Sequence, residues 1–515
     1  MKRGILASAG IVLLLSGCSH PLLGQQSNEQ EKDTGQAREG ENYMKNGTDQ
    51  QNMMGHGDSH MQGMEGHMDH DNIASLNASK GTRELAIPPL LEKQDAKDYD
   101  FEVTAQKGET QFFDGKMTET YGYNGDLLGP TLRLKKGETV KVKVRNELNE
   151  PTSFHWHGLE VPGSEDGSPH HEIRPGESRI VTLKAEQQAA TLWYHPHPHR
   201  LTAEQVFKGL GGMLYVEEED AKIPVFPNDY GKDDIPLIFQ DRLFDDRQQL
   251  NYRALMNSDG TIGDVSLVNG TIDPRLTVEQ PLMRFRILNG SNARNYTFKL
   301  SNGATFTQIA SDGGLLDQPV VSSELTLSPS ERAEILIDFS KMRADEKVAI
   351  TNEEGTVLLP FELSLDDTID NSSGESWTSG KPFLTEEEKA MPVTKKIELF
   401  GMMDMVTING KKFDPNRIDL RQEQGVAEIW DVYNKPDMMG GMVHPFHIHG
   451  TQFKIISRDG KEPGPNERGF KDSVLVEPGE RVKLLVTFPE KGVYMYHCHI
   501  LEHEDNGMMG QVEVY

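Results

Sequence analysis

Residues 497–509 read HCHILEHEDNGMM and place one of only two cysteines in the chain, Cys498, directly between His497 and His499. Successive side chains of a β-strand point to opposite faces, so the two imidazoles would project to one side and the thiol to the other. Thiolate and imidazole groups are both metal ligands. The stretch therefore predicts a strand that serves two metal sites, with Cys498 in one site and its two covalent neighbours in the other.

Pairs of histidines separated by one residue occur at three further places, and no histidine lies between His199 and His444. By the same strand geometry, each pair would present two imidazoles to one face. One interpretation is that these are ordinary core histidines with hydrogen-bond partners. The other is that the first and last parts of the chain face each other across a site with eight imidazoles: His155, His157, His195, His197, His447, His449, His497 and His499.

Long internal repeats predict the domain organisation. Three apolar or alternating runs that end at an asparagine recur with a period of roughly 145 residues, and a series of proline-led turns recurs with a period of roughly 150 residues. The runs are VKVKVRN (140–146), MRFRILN (283–289) and EIWDVYN (428–434), and the turns are residues 175–177, 329–331 and 478–480. Such a long period indicates duplicated domains, and many short strands separated by Gly and Pro favour β-sandwiches or barrels. We expect an all-β chain with domains at residues 83–218, 225–366 and 390–515.

The overall charge limits the classes of partner. The chain has 515 residues, with 53 Lys and Arg against 81 Asp and Glu, and a formal net charge of -28. Nucleic-acid binding needs a basic face that displaces the cations condensed on phosphates, so no nucleic-acid partner is expected. Small cations and neutral organic molecules remain plausible substrates, and we expect a monomer.

The N-terminus predicts export. Residues 1–18 combine two basic residues, an apolar run too short to span a bilayer as a mature helix, and the sequence LSGC. LSGC resembles the lipoprotein box, which implies lipidation of Cys18 and anchoring to the outer face of the bacterial cell membrane or the periplasmic side of a membrane. The alternative is an ordinary signal peptide with a chance cysteine. A lipidated Cys18 would leave Cys498 without a disulfide partner.

Residues 19–82 are predicted to form a disordered tether, because they are polar and contain few large apolar residues. Methionine and histidine recur within it between Met44 and His70. Thioether and imidazole groups together suit copper, and thioethers favour Cu(I). The alternative is a polar linker with an accidental bias in composition.

The cysteine face of the opening stretch predicts a blue-copper site. His444, Cys498, His503 and Met508 offer two imidazoles, a thiolate and a thioether. Two His and one Cys with a weak axial Met are the ligands of blue-copper electron-transfer sites.

Four motifs carry a family resemblance: HWHG (155–158), WYHPH (193–197), HPFHIHG (444–450) and HCHILEHEDNGMM. They resemble, in order and spacing, the copper signatures of the multicopper oxidases. The likeness extends through ligand-free middle stretches such as RFRILNGSNARNYTF and QIASDGGLLDQP. It implies three consecutive cupredoxin-like Greek-key β-barrel/sandwich domains and four copper ions, one of type 1, one of type 2 and two of type 3.

The resemblance also assigns ligands and acids. It places His155 and His447 on the type 2 copper, and it implies that dioxygen is reduced to water with electrons taken one at a time from a substrate. It puts Asp166 and Glu504 at proton-delivery positions, although solvated surface acids are the alternative in so acidic a chain. The type 3 ligands that it implies are His157, His195, His197, His449, His497 and His499.

The substrate is predicted from methionines around the blue-copper ligands. Thioethers with a nearby carboxylate would hold Cu(I), and the chain is similar to copper-efflux (cuprous) oxidases in having Met442 just before HPFHIHG. Gly440 stands where those enzymes have aspartate, and their Met-rich insertion is missing. The candidate substrate residues are Met442, Met439, Met402, Met403, Asp404 and Met405.

Other interpretations stay open at this point. The methionines could instead fill gaps in the core. The enzyme could be a laccase that acts on phenols and aromatic amines, alone or together with Cu(I) oxidation. A third possibility is a copper-sequestering lipoprotein without oxidase activity.

Overall fold

Short β-strands dominate the fold, as the alternation of apolar and polar residues predicts. A computed structural model describes residues 75–94, 97–218, 226–252, 257, 259–343, 345–365, 382–438 and 440–515. All of these belong to one unit of the chain, His67–Tyr515. Cys18, the predicted signal peptide, most of the predicted tether and Met439 lie outside the described residues.

The first part of the chain contributes two sheets that pack on one apolar core. The sheets have the strand orders β3-β2-β5-β6 and β4-β8-β7, and Val103, Val142 and Trp156 are fully buried between them. The elements are β1 (Arg83–Glu84), β2 (Phe101–Phe113), β3 (Lys116–Tyr123), β4 (Leu132–Lys135), β5 (Thr139–Asn146), a 3₁₀ turn (Pro169–His171), β6 (Ser178–Lys184), β7 (Ala190–Tyr194), α1 (Thr202–Lys208) and β8 (Gly212–Glu217).

The middle part has two larger sheets around a second core. Their strand orders are β1-β11-β19-β18-β13-β16 and β10-β9-β12-β17-β14-β15. The elements are β9 (Asp234–Arg242), β10 (Val265–Val268), β11 (Pro274–Val278), β12 (Leu282–Asn289), β13 (Tyr296–Leu300), β14 (Phe306–Ser311), β15 (Gly314–Ser322), β16 (Glu324–Leu327), β17 (Arg332–Asp338), a 3₁₀ turn (Phe339–Lys341), β18 (Val348–Thr351) and β19 (Val357–Leu363).

The first described residues of the chain pack differently from the prediction. Strand β1 pairs in parallel with β11 of the middle part, whereas the predicted bounds assign residue 83 to the first domain. Leu76, which the predicted disordered tether includes, is buried in the middle core together with Leu85. Burial of these two leucines explains why the chain packs here before it enters the first pair of sheets. The other predicted domain bounds stay predictions.

The last part again pairs two sheets, with the orders β21-β20-β23-β27-β25 and β22-β29-β28-β24-β26, around a third core. The elements are α2 (Glu386–Ala390), β20 (Val393–Phe400), a 3₁₀ turn (Met403–Met405), β21 (Thr407–Ile408), β22 (Leu420–Gln422), β23 (Glu428–Lys435), β24 (His444–Ile448), β25 (Lys454–Arg458), a 3₁₀ turn (Pro465–Glu467), β26 (Ser473–Val476), β27 (Arg481–Val486), β28 (Gly492–Cys498), α3 (Leu501–Asp505) and β29 (Met509–Val514). None of the helices in the described residues has the length and apolar character needed to cross a bilayer.

The repeated asparagines and turns form the same structure three times. Each asparagine is buried and its side-chain amide donates to two backbone carbonyls that close the neighbouring loops. The backbone carbonyl of each asparagine accepts a hydrogen bond from a backbone N–H of the turn at 2.8 Å. The donor residues all have a positive φ, and they are Gly176 (79°), Ser330 (74°) and Gly479 (82°). The three parts of the chain therefore share one local design, and the predicted all-β fold is confirmed.

Candidate metal centres

Cys498 lies between two histidines from different elements. Its Sγ is 3.5 Å from Nδ1 of His444, at the start of β24, and 3.7 Å from Nδ1 of His503, in α3. All three side chains are buried, and Cys498 forms no disulfide. Burial raises the pKa of the Cys498 thiol, so a thiolate here needs a cation that offsets the loss of solvation. A metal ion bound by this group would supply that charge.

Met508 is also placed beside this group. Its carbonyl accepts the Cys498 N–H at 3.1 Å, its own N–H donates to the His503 carbonyl at 2.9 Å, and the side chain is fully buried. The turn after α3 thus returns the chain to the cysteine before β29 begins. The four predicted blue-copper ligands are neighbours in the structure.

The eight paired histidines form a second, separate cluster from the first and last parts of the chain. All are buried, and three triads have ring nitrogens within 4.8 Å of one another. The triads are His155–His157–His447, His157–His195–His499 and His197–His449–His497. The first and last parts therefore face each other, as the spacing predicts.

Distances inside the triads suit metal ions. The Nε2 atoms of His449 and His497 are 3.0 Å apart, those of His197 and His497 are 3.2 Å apart, and His157 Nδ1 is 3.3 Å from His195 Nε2. Two nitrogens each about 2.0 Å from one ion at a tetrahedral angle would lie roughly 3.3 Å apart. Burial is the first cause that lowers the pKa of seven of these imidazoles, which keeps their lone pairs free for a metal: His157, His195, His197, His447, His449, His497 and His499.

Strand ends explain how the pairs converge. His447 pairs across the sheet with His497 and Phe446 pairs with Cys498, so the two histidines share a face and the cysteine takes the other. His449 and His499 come just after their strands end, and His195 follows β7. The expectation that every pair lies within a strand is wrong for residues 155–157 and 195–197, where His155 and His195 form only an isolated bridge to each other. Leaving the ladder frees these imidazoles to turn towards a common centre.

Five ring nitrogens in this cluster are buried without a hydrogen-bond partner among the described residues: Nδ1 of His197, both nitrogens of His499, Nε2 of His155 and Nε2 of His447. The last two belong to rings whose opposite nitrogen is held by the backbone. The other nitrogen of each ring faces a backbone carbonyl, that of Asp166 at 2.9 Å and that of Asp472 at 2.7 Å. A buried polar atom without a partner is costly. The Nε2 lone pairs of His155 and His447 are thus available to bind a metal ion, which would satisfy both nitrogens.

Asp166 and Glu504 both lie inside the cluster, so they are not solvated surface acids. Asp166 Oδ2 is 2.8 Å from Nδ1 of His449. Glu504 lies between His197, at 3.4 Å, and His497, at 3.2 Å. Burial, and then the Asp505 carboxylate, raises the pKa of Glu504 well above its ordinary value. Each carboxylate is placed to exchange a proton with the cluster.

Among the described candidate substrate methionines, Met403, Met405 and Met442 lie nearer the surface than the ligands. Met405 has 64% of its surface exposed, Met403 has 46%, and Met402 is buried at 7%. Met442 is partly buried against the third core, and Asp404 is exposed. The gap-filling interpretation therefore suits Met402 but not Met403 or Met405.

Two acidic residues that the sequence analysis did not single out also contact the sites. Asp472 accepts a hydrogen bond from His157 Nε2 at 3.0 Å. Asp259, from the middle part, has Oδ1 3.7 Å from His503 Nε2 and accepts the N–H of Met403. Both contacts join residues far apart in the chain, and neither aspartate belongs to a motif, so no local pattern could have found them.

Known proteins are similar to this chain in both sequence and fold. Residues 92–221 and 386–515 each match a family model described as multicopper oxidase. The multicopper oxidase mco of Staphylococcus haemolyticus is 50% identical over 447 residues, which are 86% of this chain and 95% of that protein. The cell division protein FtsP of Photorhabdus laumondii is 35% identical over 455 residues, 85% of this chain and 93% of that protein. The crystal structure of a laccase from Pediococcus acidilactici has a TM-score of 0.80 at 40% identity, covering 86% of this chain and 95% of that one.

The fold and the histidine clusters of this chain are those expected from its matches. The all-β sheet pairs are the cupredoxin-like architecture of the matched structures, and the buried histidine clusters are consistent with copper sites. The predicted family resemblance is confirmed. The chain is an oxidoreductase that belongs to the multicopper oxidase family.

Proposed function

We propose that this protein oxidises Cu(I), one electron at a time, and reduces dioxygen to water, which would give copper tolerance. The observation that carries the choice of substrate is the rim of the Cys498 group. There the Asp259 carboxylate lies beside His503 and accepts a hydrogen bond from the backbone N–H of Met403. The side chains of Met403 and, two residues on, Met405 are both exposed. Thioethers and a carboxylate are a donor set for copper, with the thioethers favouring its reduced form.

We further propose four copper ions as resident cofactors. His444, Cys498, His503 and Met508 would hold the type 1 copper, and His155 and His447, with their unpartnered Nε2 atoms, the type 2 copper. The triads His157–His195–His499 and His197–His449–His497 would hold the type 3 pair. Copper in these positions would supply the one-electron redox couple and the electrons for the four-electron reduction of dioxygen.

The protein's own residues support this chemistry in three ways. One peptide link on each side joins Cys498 to His497 and His499, so the two groups are covalently connected by the shortest available path. Burial of every proposed ligand excludes bulk water. Glu504 and Asp166, next to the histidines, would hold and pass the protons that dioxygen reduction consumes.

Gly440 does not remove the acidic group that a Cu(I) site needs. A Cβ at residue 440 would meet nothing within 4 Å, but φ is +106°, a conformation that disfavours aspartate. Asp259 of the middle part brings a carboxylate to a type 1 ligand by a different route. The missing aspartate is thus compensated from another part of the chain.

A laccase activity on phenols and aromatic amines is the second candidate, favoured by the similarity to the Pediococcus acidilactici laccase. The two activities share every resident copper site and differ only at the rim. Copper binding without oxygen uptake would instead support the copper-sequestering alternative.

The test is steady-state kcat/KM for Cu(I) and for a bulky phenol, measured by oxygen uptake with the copper-loaded protein. Met442→Ala should lower the Cu(I) value much more than the phenol value, because the thioether is needed to capture the metal but not the organic substrate. Met117→Ala, which removes another exposed thioether far from these residues in sequence, is the control and should change neither value. Equal losses on both substrates in Met442→Ala would contradict a dedicated Cu(I) site.

We also propose export and lipid anchoring through Cys18, supported by residues 1–18 alone. Replacing Cys18 by Ala should release the protein from the membrane fraction and abolish incorporation of labelled fatty acid. Unchanged labelling in that variant would contradict the proposal.

A further inference from the structure

We infer that Arg332, from the middle domain that carries no histidine, is a positioning residue for the histidine cluster. It clamps Asp472, and Asp472 fixes which ring nitrogens His157 and His447 present to a metal. The inference rests on the proposed function, in which these histidines bind copper.

Asp472 sets opposite tautomers on two imidazoles. Its Oδ1 is 3.0 Å from His157 Nε2, and its backbone carbonyl is 2.7 Å from His447 Nδ1. A carboxylate and a carbonyl only accept, so each facing nitrogen must donate. His157 therefore keeps its Nδ1 lone pair, which faces His195 Nε2 at 3.3 Å, and His447 keeps its Nε2 lone pair. Such outer partners orient metal-binding histidines and set their tautomer.

Arg332 holds the Asp472 carboxylate by two parallel hydrogen bonds. Nη1 donates to Oδ1 at 2.7 Å and Nη2 to Oδ2 at 2.6 Å, and both side chains are fully buried. This bidentate geometry fixes the plane of the carboxylate as well as its position. The oxygen that accepts from His157 is therefore held in place by the guanidinium.

The guanidinium itself has no freedom to turn. Its three remaining N–H groups donate to the backbone carbonyls of Thr191, Ser330 and Asp312, at 3.0, 3.0 and 3.1 Å. All five donors of the arginine are thus used. Thr191 belongs to the first part of the chain, Ser330 and Asp312 to the middle part, and Asp472 to the last. Arg332 therefore locks the three parts together at the point where the histidines of the first and last parts meet.

Lysine cannot reproduce this clamp, because an ammonium is a point donor without a planar fork. Without the guanidinium fork the buried carboxylate loses its paired hydrogen bonds and is free to turn away from His157. Gln452 and Ser473 still donate to Asp472, at 2.8 and 3.1 Å, but neither carries charge. The expected consequence is a misplaced His157, not an unfolded protein.

Arg286 supplies a matched control. It is also a buried arginine of the middle part, holds Asp234 through Nε and Nη2 at 2.8 and 2.9 Å, and donates to Thr191 Oγ1 at 3.0 Å. Its other ion pair is with Glu334, and none of these three partners is a histidine. Arg286→Lys therefore has the same chemical loss at the same domain boundary without the link to the cluster.

The experiment compares copper-loaded Arg332→Lys and Arg286→Lys with the wild type. The readouts are copper retained per chain during chelator challenge, the electron paramagnetic resonance signal of the type 2 copper, the blue absorption and the thermal midpoint of the metal-free protein. We expect both variants to lose thermal stability. Only Arg332→Lys should hold copper at the histidine cluster about 10- to 100-fold more weakly, with a changed type 2 signal and unchanged blue absorption.

Arg332→Lys with the copper retention and type 2 signal of Arg286→Lys would overturn the inference. If Arg332→Lys does not fold, Asp472→Asn provides the second measurement, since it keeps the side-chain volume and removes the charge that Arg332 holds. Wild-type retention and spectrum in Asp472→Asn would overturn the inference equally. A wild-type protein that binds copper only at Cys498 would overturn the proposed function itself, which distinguishes the two failures.

Discussion

Replacing Gly158 by Ala should disturb the histidine cluster without touching a histidine. Gly158 follows His157 and has φ +86°. A Cβ there would lie 2.4 Å from Asp472 Oδ2 and 2.8 Å from Arg332 Nη2, both far inside contact distance. Neither atom can retreat easily, because the two side chains hold each other by paired hydrogen bonds. The clash must therefore displace either the carboxylate or the backbone that carries His157.

The size of the effect follows from two contributions. A left-handed conformation costs a non-glycine residue about 1–2 kcal/mol. Overpacking a tightly packed interior costs about 1–3 kcal/mol more. Together they give a loss of about 2–5 kcal/mol in the free energy of unfolding for Gly158→Ala.

Gly176→Ala separates the two contributions. Its φ is +79°, but a Cβ there would meet nothing within 4 Å. The equivalent residue of the middle part is Ser330, with φ +74°, so the repeat itself shows that this backbone accepts a side chain. Gly176→Ala should lose only the conformational contribution of about 1–2 kcal/mol.

The assay is thermal unfolding of the metal-free variants, together with copper content after loading. At roughly 2–4 °C per kcal/mol, Gly158→Ala should melt several degrees below Gly176→Ala. It should also lose copper from the histidine cluster, whereas Gly176→Ala should load fully. Equal melting points and full copper loading in both variants would refute the rigid packing of Asp472 and Arg332 against residue 158.

Three further predictions test other parts of the molecule. Cys498→Ser should remove the blue absorption and about one of the four proposed coppers while leaving the fold intact, since serine fills nearly the same space; a variant that stays blue would contradict the type 1 assignment. Burial raises the pKa of Glu160 to about 7. The folded protein therefore binds a proton at Glu160 more tightly than the unfolded protein does. The stabilisation from this proton is complete below about pH 4.5 and is lost as the pH rises through 7. Glu160→Gln should therefore melt like the wild type at low pH and above it at pH 8, and equal midpoints at pH 8 would show that the carboxylate is not desolvated. Deleting residues 41–72 should lower kcat/KM for scarce Cu(I) and not for a phenol, and a deletion without effect on Cu(I) would assign those residues no part in copper capture.

The sequence predicts the parts of the site that local geometry determines. A strand has period two, so HCH must send Cys498 one way and its neighbours the other, and the observed pairing of His447 with His497 follows that rule. The repeated asparagine and turn likewise predict three related domains, because each repeat satisfies the same backbone groups in the same way.

Other features depend on contacts that no local pattern encodes. Asp472 meets a histidine 315 residues away and Arg332 is 140 residues from its carboxylate, so neither contact leaves a periodic signal in the chain. The burial of Leu76 was missed for a related reason. One leucine in a polar stretch does not predict order, and only the middle core into which it packs makes that segment part of the fold.

The middle part of the chain has no histidine, yet it reaches both candidate metal centres. Asp259 lies against His503 beside the cysteine, and Arg332 holds the aspartate that orients His157 and His447. Asp259 contacts the His503 ring nitrogen that faces away from the cysteine, and Arg332 acts on Asp472, which contacts the histidine rings. Hydrogen bonds of this kind set the orientation of metal-binding histidines and their affinity for metal. Substitutions at Asp259 and Arg332 should therefore affect different coppers. A double variant should show the sum of the two single effects, because Asp259 contacts the cysteine group and Arg332 contacts the aspartate of the histidine cluster.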